Sequence, residues 1–147
     1  MTHKSTLAAT FGLGTAINFP WEMAHSLLYR GVAGFTWREH LLCCGLASLI
    51  DGAGIAAIYV LGAVISADGY WTYRASMLKV AFVALLGLAS ATLAEVLALR
   101  LGWWAYGPSM PRLPGTNIGI SPLAQFIVLP LAVLFGLLPR LKRCSRS

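Results

Sequence analysis

Three acids, Glu22, Asp51 and Glu95, stand inside long apolar blocks of this sequence. On insertion scales a carboxyl at the centre of a membrane span costs about 2.5–3.5 kcal/mol, and such residues mark substrate, ion or proton chemistry. Two carboxyls in one low-dielectric pocket can divide the roles of general acid and general base. The expected pair is Glu22 and Glu95, with Asp51 in support and His25 relaying a proton to the outer surface. A pair of this kind suits protonation, isomerisation, cyclisation or hydration of an isoprenoid or other lipid. Trp21, Trp104 and Tyr106 are expected to line an apolar cavity, where ring faces stabilise a cationic intermediate. Asn18, Met110, Arg112 and Gln125 complete the expected ligand-binding set, and Arg112 is either a solvated charge on a turn or the partner of an intramembrane carboxylate. The other role open to the three acids is a hydrogen-bonded clamp between helices. No cofactor is named by the sequence.

The spacing supports a shared interior. Asn18, Glu22 and His25 fall at i, i+4, i+7, one stripe of a helix, and Tyr29 extends it by a turn. His40 and Cys44 are i, i+4, and Cys44, Ser48 and Asp51 repeat the i, i+4, i+7 pattern. Thr92 and Glu95 are i, i+3. Lipid would not solvate these stripes, so they are expected to face one another. Glu22, Glu95 and Gln125 come out at similar depth in the outer half, about 8–10 Å below the ends of their helices at 1.5 Å per residue. Asp51 falls about 18 Å deep, nearer the midplane. Glu22, His25, His40 and Cys44, with Glu95, also offer donors for a metal. The Glu22–His25 pair has the spacing of bundle metal sites, but those sites need a second copy and the chain has none, so no metal is expected.

The elements that must hold these residues follow from composition. Of 147 residues, 58% are hydrophobic and 11% charged, and the mean hydropathy is +0.73. Soluble domains run about 45–50% apolar and about 25% charged, so a soluble globular domain is excluded, as is a disordered chain. Four apolar blocks, at about 6–29, 39–66, 77–100 and 119–138, are each long enough to cross a hydrocarbon core as a helix. Without period-2 alternation a membrane barrel is excluded. The expectation is an all-α, single-domain, polytopic four-helix membrane bundle covering 1–147. The N-terminal block is read as a retained first helix rather than a signal peptide. Pro20 is expected to kink that helix beside Glu22 and to free a carbonyl near Ala16. Small residues such as Gly14, Gly52 and Gly87 permit close helix approach.

The net charge is +6, from 11 Lys and Arg against 5 Asp and Glu. Its basic residues sit between and after the apolar blocks, so nucleic acid is not an expected partner. Seven of them, including the tail residues Arg140, Lys142, Arg143 and Arg146, fall on the side of the termini and four on the other. By the positive-inside bias both termini are cytoplasmic. Tyr29, Trp37, Tyr70, Trp71, Trp103 and Trp104 mark the interfaces. Segment 102–122 carries Pro108, Pro111 and Pro114 and is expected to form a structured outer cap between the third and fourth helices. Cys43, Cys44 and Cys144 make no zinc or redox spacing.

The elements Asn18-Phe-Pro-Trp21-Glu22, Glu95, Trp104-Ala-Tyr106, Met110-Pro-Arg-Leu-Pro114 and Gly119-Ile-Ser-Pro122-Leu-Ala-Gln125 occur in that order. This pattern resembles a group of small bacterial four-helix integral membrane proteins with no assigned activity. The resemblance implies a multi-pass protein of the bacterial inner membrane. More loosely, acids within spans beside a Trp-x-Tyr and proline-rich loop resemble membrane carotenoid cyclases and hydratases. Besides the intramembrane enzyme, two other functions fit the sequence: an accessory subunit of a larger membrane complex, and a small proton-coupled transporter. The expected partners are membrane lipids, a lipophilic small molecule, and further copies or subunits.

Overall fold

The computed structural model describes residues 3–144, and among these it is all-α with no strand. Arg146 of the basic tail lies outside the described residues, as do the side chains of Lys142, Arg143 and Cys144. Four long helical stretches make the fold. Helix α1 spans His3–His25 and runs into a short 3-10 turn, Ser26–Leu28. Helix α2 spans Trp37–Ser66 and α3 spans Met77–Leu101. Helix α4, Ile120–Leu131, continues through a π-helical segment, Ala132–Leu137, into α5, Leu138–Cys144. The observed ends lie within a few residues of the four apolar blocks.

Local chemistry sets these ends. Thr36 and Glu39 form a reciprocal capping box at the start of α2, with Glu39 Oε2 accepting from the Thr36 amide at 2.8 Å. Ser76 caps α3 by accepting from the Lys79 amide. Gly102 ends α3 in the left-handed region at φ 69, where a residue without Cβ has no steric penalty. Pro20 lies inside α1, where it has no amide to give to the Ala16 carbonyl, yet the helix continues to His25.

Helix α1 packs along α2 and α3 along α4, and α1 joins the two pairs through α4. The first seam is close: a Cβ on Gly14 would stand 3.1 Å from the Cα of Gly52. On the second, a Cβ on Gly87 would collide with the Phe126 carbonyl oxygen. In contrast, α2 and α3 scarcely touch. In section the order is therefore α2, α1, α4, α3, with a cleft left between the first and last.

The apolar core lies toward one end, where Trp71, Val83, Val133, Leu134 and Leu138 are buried. Trp71 donates to the Tyr59 carbonyl at 3.0 Å, and Lys79 Nζ donates to the Trp71 carbonyl at 2.7 Å. At the opposite end, called here the cap end, segments 26–36 and 102–119 are hydrogen-bonded together. The Arg30 amide donates to the Ala105 carbonyl at 2.8 Å, and the Gly107 amide to the Leu28 carbonyl at 2.7 Å.

Helices α2, α3 and the rod beginning at Ile120 are long and apolar enough to cross a membrane. Helix α1 does not reach that standard; Thr6, Thr10, Asn18, Glu22 and His25 dilute it. The outward faces are apolar: Ile50 and Val64 are each 72% exposed. Such continuous apolar surface suits lipid rather than water.

Candidate functional site

The polar stripes of α1, α2 and α4 meet at Gln125. Its Nε2 donates toward Asn18 Oδ1 at 2.9 Å, Glu22 Oε1 at 2.6 Å and Asp51 Oδ2 at 2.8 Å. Asn18 is held in place by its own Nδ2, which donates to the Gly14 carbonyl at 2.8 Å. Glu22 and Asp51 are held beside each other at the one Gln125 amide nitrogen. That amide offers two protons to the three acceptors. Asn18 and Gln125 are buried, and the cluster joins three helices that are far apart in sequence.

Glu95 lies in a second polar group. It is buried, and it accepts from the Tyr106 hydroxyl and from Trp104 Nε1 at 3.4 Å. Tyr106 in turn accepts from the Gly119 amide at 2.9 Å. Burial, and then the bond to Glu95, push the Tyr106 phenol well above its ordinary value. Tyr29 bridges the two groups. Its ring stacks edge-on to His25 at 5.0 Å and to Trp104 at 6.1 Å.

This arrangement alters several sequence expectations. The carboxyl partner of Glu22 is Asp51 rather than Glu95, because Asp51 reaches across the α1–α2 seam while cap-end aromatics bind Glu95. Trp21 packs against the apolar core instead of lining the cavity. Arg112 is exposed and places its guanidinium 5.6 Å from the Tyr106 ring centroid, so its partner is a ring face and not a carboxylate. Met110 is buried under the cap, with its sulfur close to Gly119. Thr92 returns its hydroxyl to the Leu88 carbonyl. Among the described residues no three His, Cys, Asp or Glu side chains stand together as a metal ligand set. Glu22 and His25 belong to one group, whereas His40 and Cys44 meet at Ser26.

That last contact is one the sequence reading missed. Ser26 Oγ lies 2.6 Å from His40 Nε2, and Cys44 Sγ donates to it at 3.7 Å. Ser26 and His40 are equidistant from residue 33 in the α1–α2 connection. An antiparallel pair of helices brings such residues level, and this symmetry was the available signal.

Two cavities flank the carboxyl cluster. The larger, about 500 Å³, lies at the cap end and is lined by Glu22, His25, Tyr29, Glu95 and Trp104 among others. The smaller, about 270 Å³, runs toward the other end between Ile58, Leu61, Leu86 and Pro130. Asp51, Gln125 and Phe126 line both, so the cluster stands where the cavities adjoin. Both are walled by α2 and α3, the two helices that leave a cleft.

No family model, curated protein or solved structure matches this chain. Function is therefore argued from the geometry of the site.

Proposed function

We propose that this is an integral membrane protein that crosses the bilayer four times, with both termini cytoplasmic and the 102–119 cap outward, and that it catalyses acid–base chemistry on a lipophilic substrate in the α2–α3 cleft. The observation that carries the reading is the Glu22–Asp51 carboxyl pair, held by Gln125 where two apolar-walled cavities adjoin. The resemblance drawn from the sequence would place the protein in a bacterial inner membrane.

The chemistry balances with the groups present. In this reading one carboxyl of the pair is protonated, and its proton adds to one carbon of a substrate double bond and leaves a cation on the next. A proton then leaves an adjacent carbon for the vacated carboxylate. The pair is restored, and the double bond has moved or closed a ring. Tyr29 and Trp104 present rings to the cavity, where a transient cation gains from their negative faces. His25, 3.7 Å from Glu22, connects the pair with the cap end. Glu95 acts as a positioning residue that fixes Tyr106 and Trp104.

The test is expression of the wild-type chain beside Glu22→Gln and Asp51→Asn, with mass spectrometry of membrane lipid extracts. Loss of a general acid–base group lowers turnover by about 100-fold or more, so the product lipid should vanish in both variants. Extracts that do not differ between the wild type and the two variants overturn the reading.

A further inference from the structure

The cap-end cavity contains two groups whose place in ligand binding the acid–base reading leaves open. Arg30 lines it, is exposed, and among the described residues makes no ion pair. The bond from its amide to Ala105 fixes the backbone where the two cap segments cross. His25 lines the same cavity, is only 7% exposed, and has no hydrogen-bond partner on either ring nitrogen. Its Nδ1 faces Glu22 at 3.7 Å, beyond hydrogen-bond length, which leaves Nε2 with nothing. A buried polar atom without a partner is costly, and native structures rarely leave one. The missing partner is expected to be polar and to come from the cavity.

The rest of the space is long, narrow and apolar. Ala47, Ala91 and Ala94 keep its walls low. From Cys43 in the larger cavity to Leu61 in the smaller, the run along α2 is about 27 Å at 1.5 Å per residue. A cation at the mouth and an apolar channel of that length complement an amphiphile with the opposite polarity pattern. Arginine in particular matches the forked oxygens of a carboxylate or phosphate.

We propose that the cleft holds a single-chain lipid amphiphile whose anionic headgroup is bound by Arg30 with His25 as its hydrogen-bond partner, and whose chain passes the Glu22–Asp51 pair toward Leu61. This rests on the reading of the cleft as a lipid site and gives that site its ligand class. The headgroup end enters at the cap, so the reacting bond is the one that comes to rest level with Asp51 and Gln125.

The experiment measures binding and not turnover. The full chain in phosphatidylcholine nanodiscs is titrated with radiolabelled hexadecyl phosphate, hexadecanoate and hexadecanol. The expected result is one site per chain that prefers an anionic probe over hexadecanol by about tenfold or more, the worth of one charge-assisted bond. Arg30→Gln should abolish that preference, Arg30→Lys should keep part of it, and Arg74→Gln at the other end should leave it unchanged. Tighter binding of hexadecyl phosphate assigns a phosphate-headed lipid, and tighter binding of hexadecanoate assigns a fatty acid. Hexadecanol bound as tightly as both anions, or a preference untouched by Arg30→Gln, overturns the proposal. Anion-selective binding without any lipid conversion leaves it standing and removes the acid–base reading. Conversion of a neutral lipid without headgroup selectivity does the reverse.

Discussion

Replacing Gln125 by leucine removes the amide that reaches Asn18, Glu22 and Asp51 together. The amide has two protons, so no more than two of the three contacts are complete bonds at one time. In a soluble core, leaving two acceptors without donors would cost about 1–3 kcal/mol each. Within a bilayer the unfolded reference also finds partners, and interhelical bonds average about 0.6 kcal/mol with a maximum near 1.7. The membrane figure applies to this cluster, so Gln125→Leu should destabilise the chain by about 1–3 kcal/mol. Gln125→Glu should be worse at neutral pH, because it replaces a donor with a third carboxylate beside Glu22 and Asp51. It should recover as the pH falls and the new carboxyl gains a proton to donate. Reversible unfolding in mixed detergent and dodecyl sulfate micelles at pH 5 and pH 8 reads both effects. A Gln125→Leu shift below about 0.5 kcal/mol, or a Gln125→Glu variant as stable as wild type at pH 8, would refute the three-way accounting.

Three more outcomes follow from the same geometry. Tyr106→Phe removes the hydroxyl that joins Glu95 to the Gly119 amide, so it should cost about 1–3 kcal/mol and speed protease cleavage within 107–118. The Tyr106 phenol is pushed upward, so its neutral form stabilises the fold below about pH 10, and that contribution fades as the pH rises further. An ultraviolet tyrosinate titration of the folded protein should therefore look the same with and without Tyr106→Phe up to pH 11. Gly87→Val places a side chain against the Phe126 carbonyl, forces α3 from α4 and should lower stability by about 1–3 kcal/mol or more, measured by thermal unfolding in detergent.

Much of the fold was legible because length and apolarity are sums over many residues. The blocks at 39–66 and 77–100 became α2 and α3 almost to the residue, since Thr36, Ser76 and Gly102 supply recognisable start and stop chemistry. Helix period placed Asn18, Glu22 and His25 on one face, because three residues on one element need no tertiary information. Choosing Asp51 over Glu95 as the partner of Glu22 did need it. Depth alone put Glu22, Glu95 and Gln125 level, but depth says nothing about which helices adjoin. That order was set by Gly14 against Gly52 and by Gly87 against Phe126, which tie α1 to α2 and α3 to α4. The Ser26–His40 contact escaped notice because each residue belongs to the end of a different helix. The role of Arg112 depended on the path of an irregular segment, for which sequence period carries no signal.

The cleft between α2 and α3 changes what affinity means for anything that occupies it. A molecule entering sideways from a bilayer leaves hydrocarbon for hydrocarbon, so the apolar walls supply almost no driving force. Occupancy is then governed by mole fraction in the lipid phase, and aqueous solubility drops out. Under the proposed reading, every abundant lipid competes on equal terms for the Leu61–Pro130 end. On the same reading, discrimination falls to the few polar groups that bulk lipid tails cannot satisfy, which are His25, Arg30 and the Glu22–Asp51 pair. A site of this kind is selective through what its rivals leave unpaired, and its apolar majority serves chiefly to keep water away.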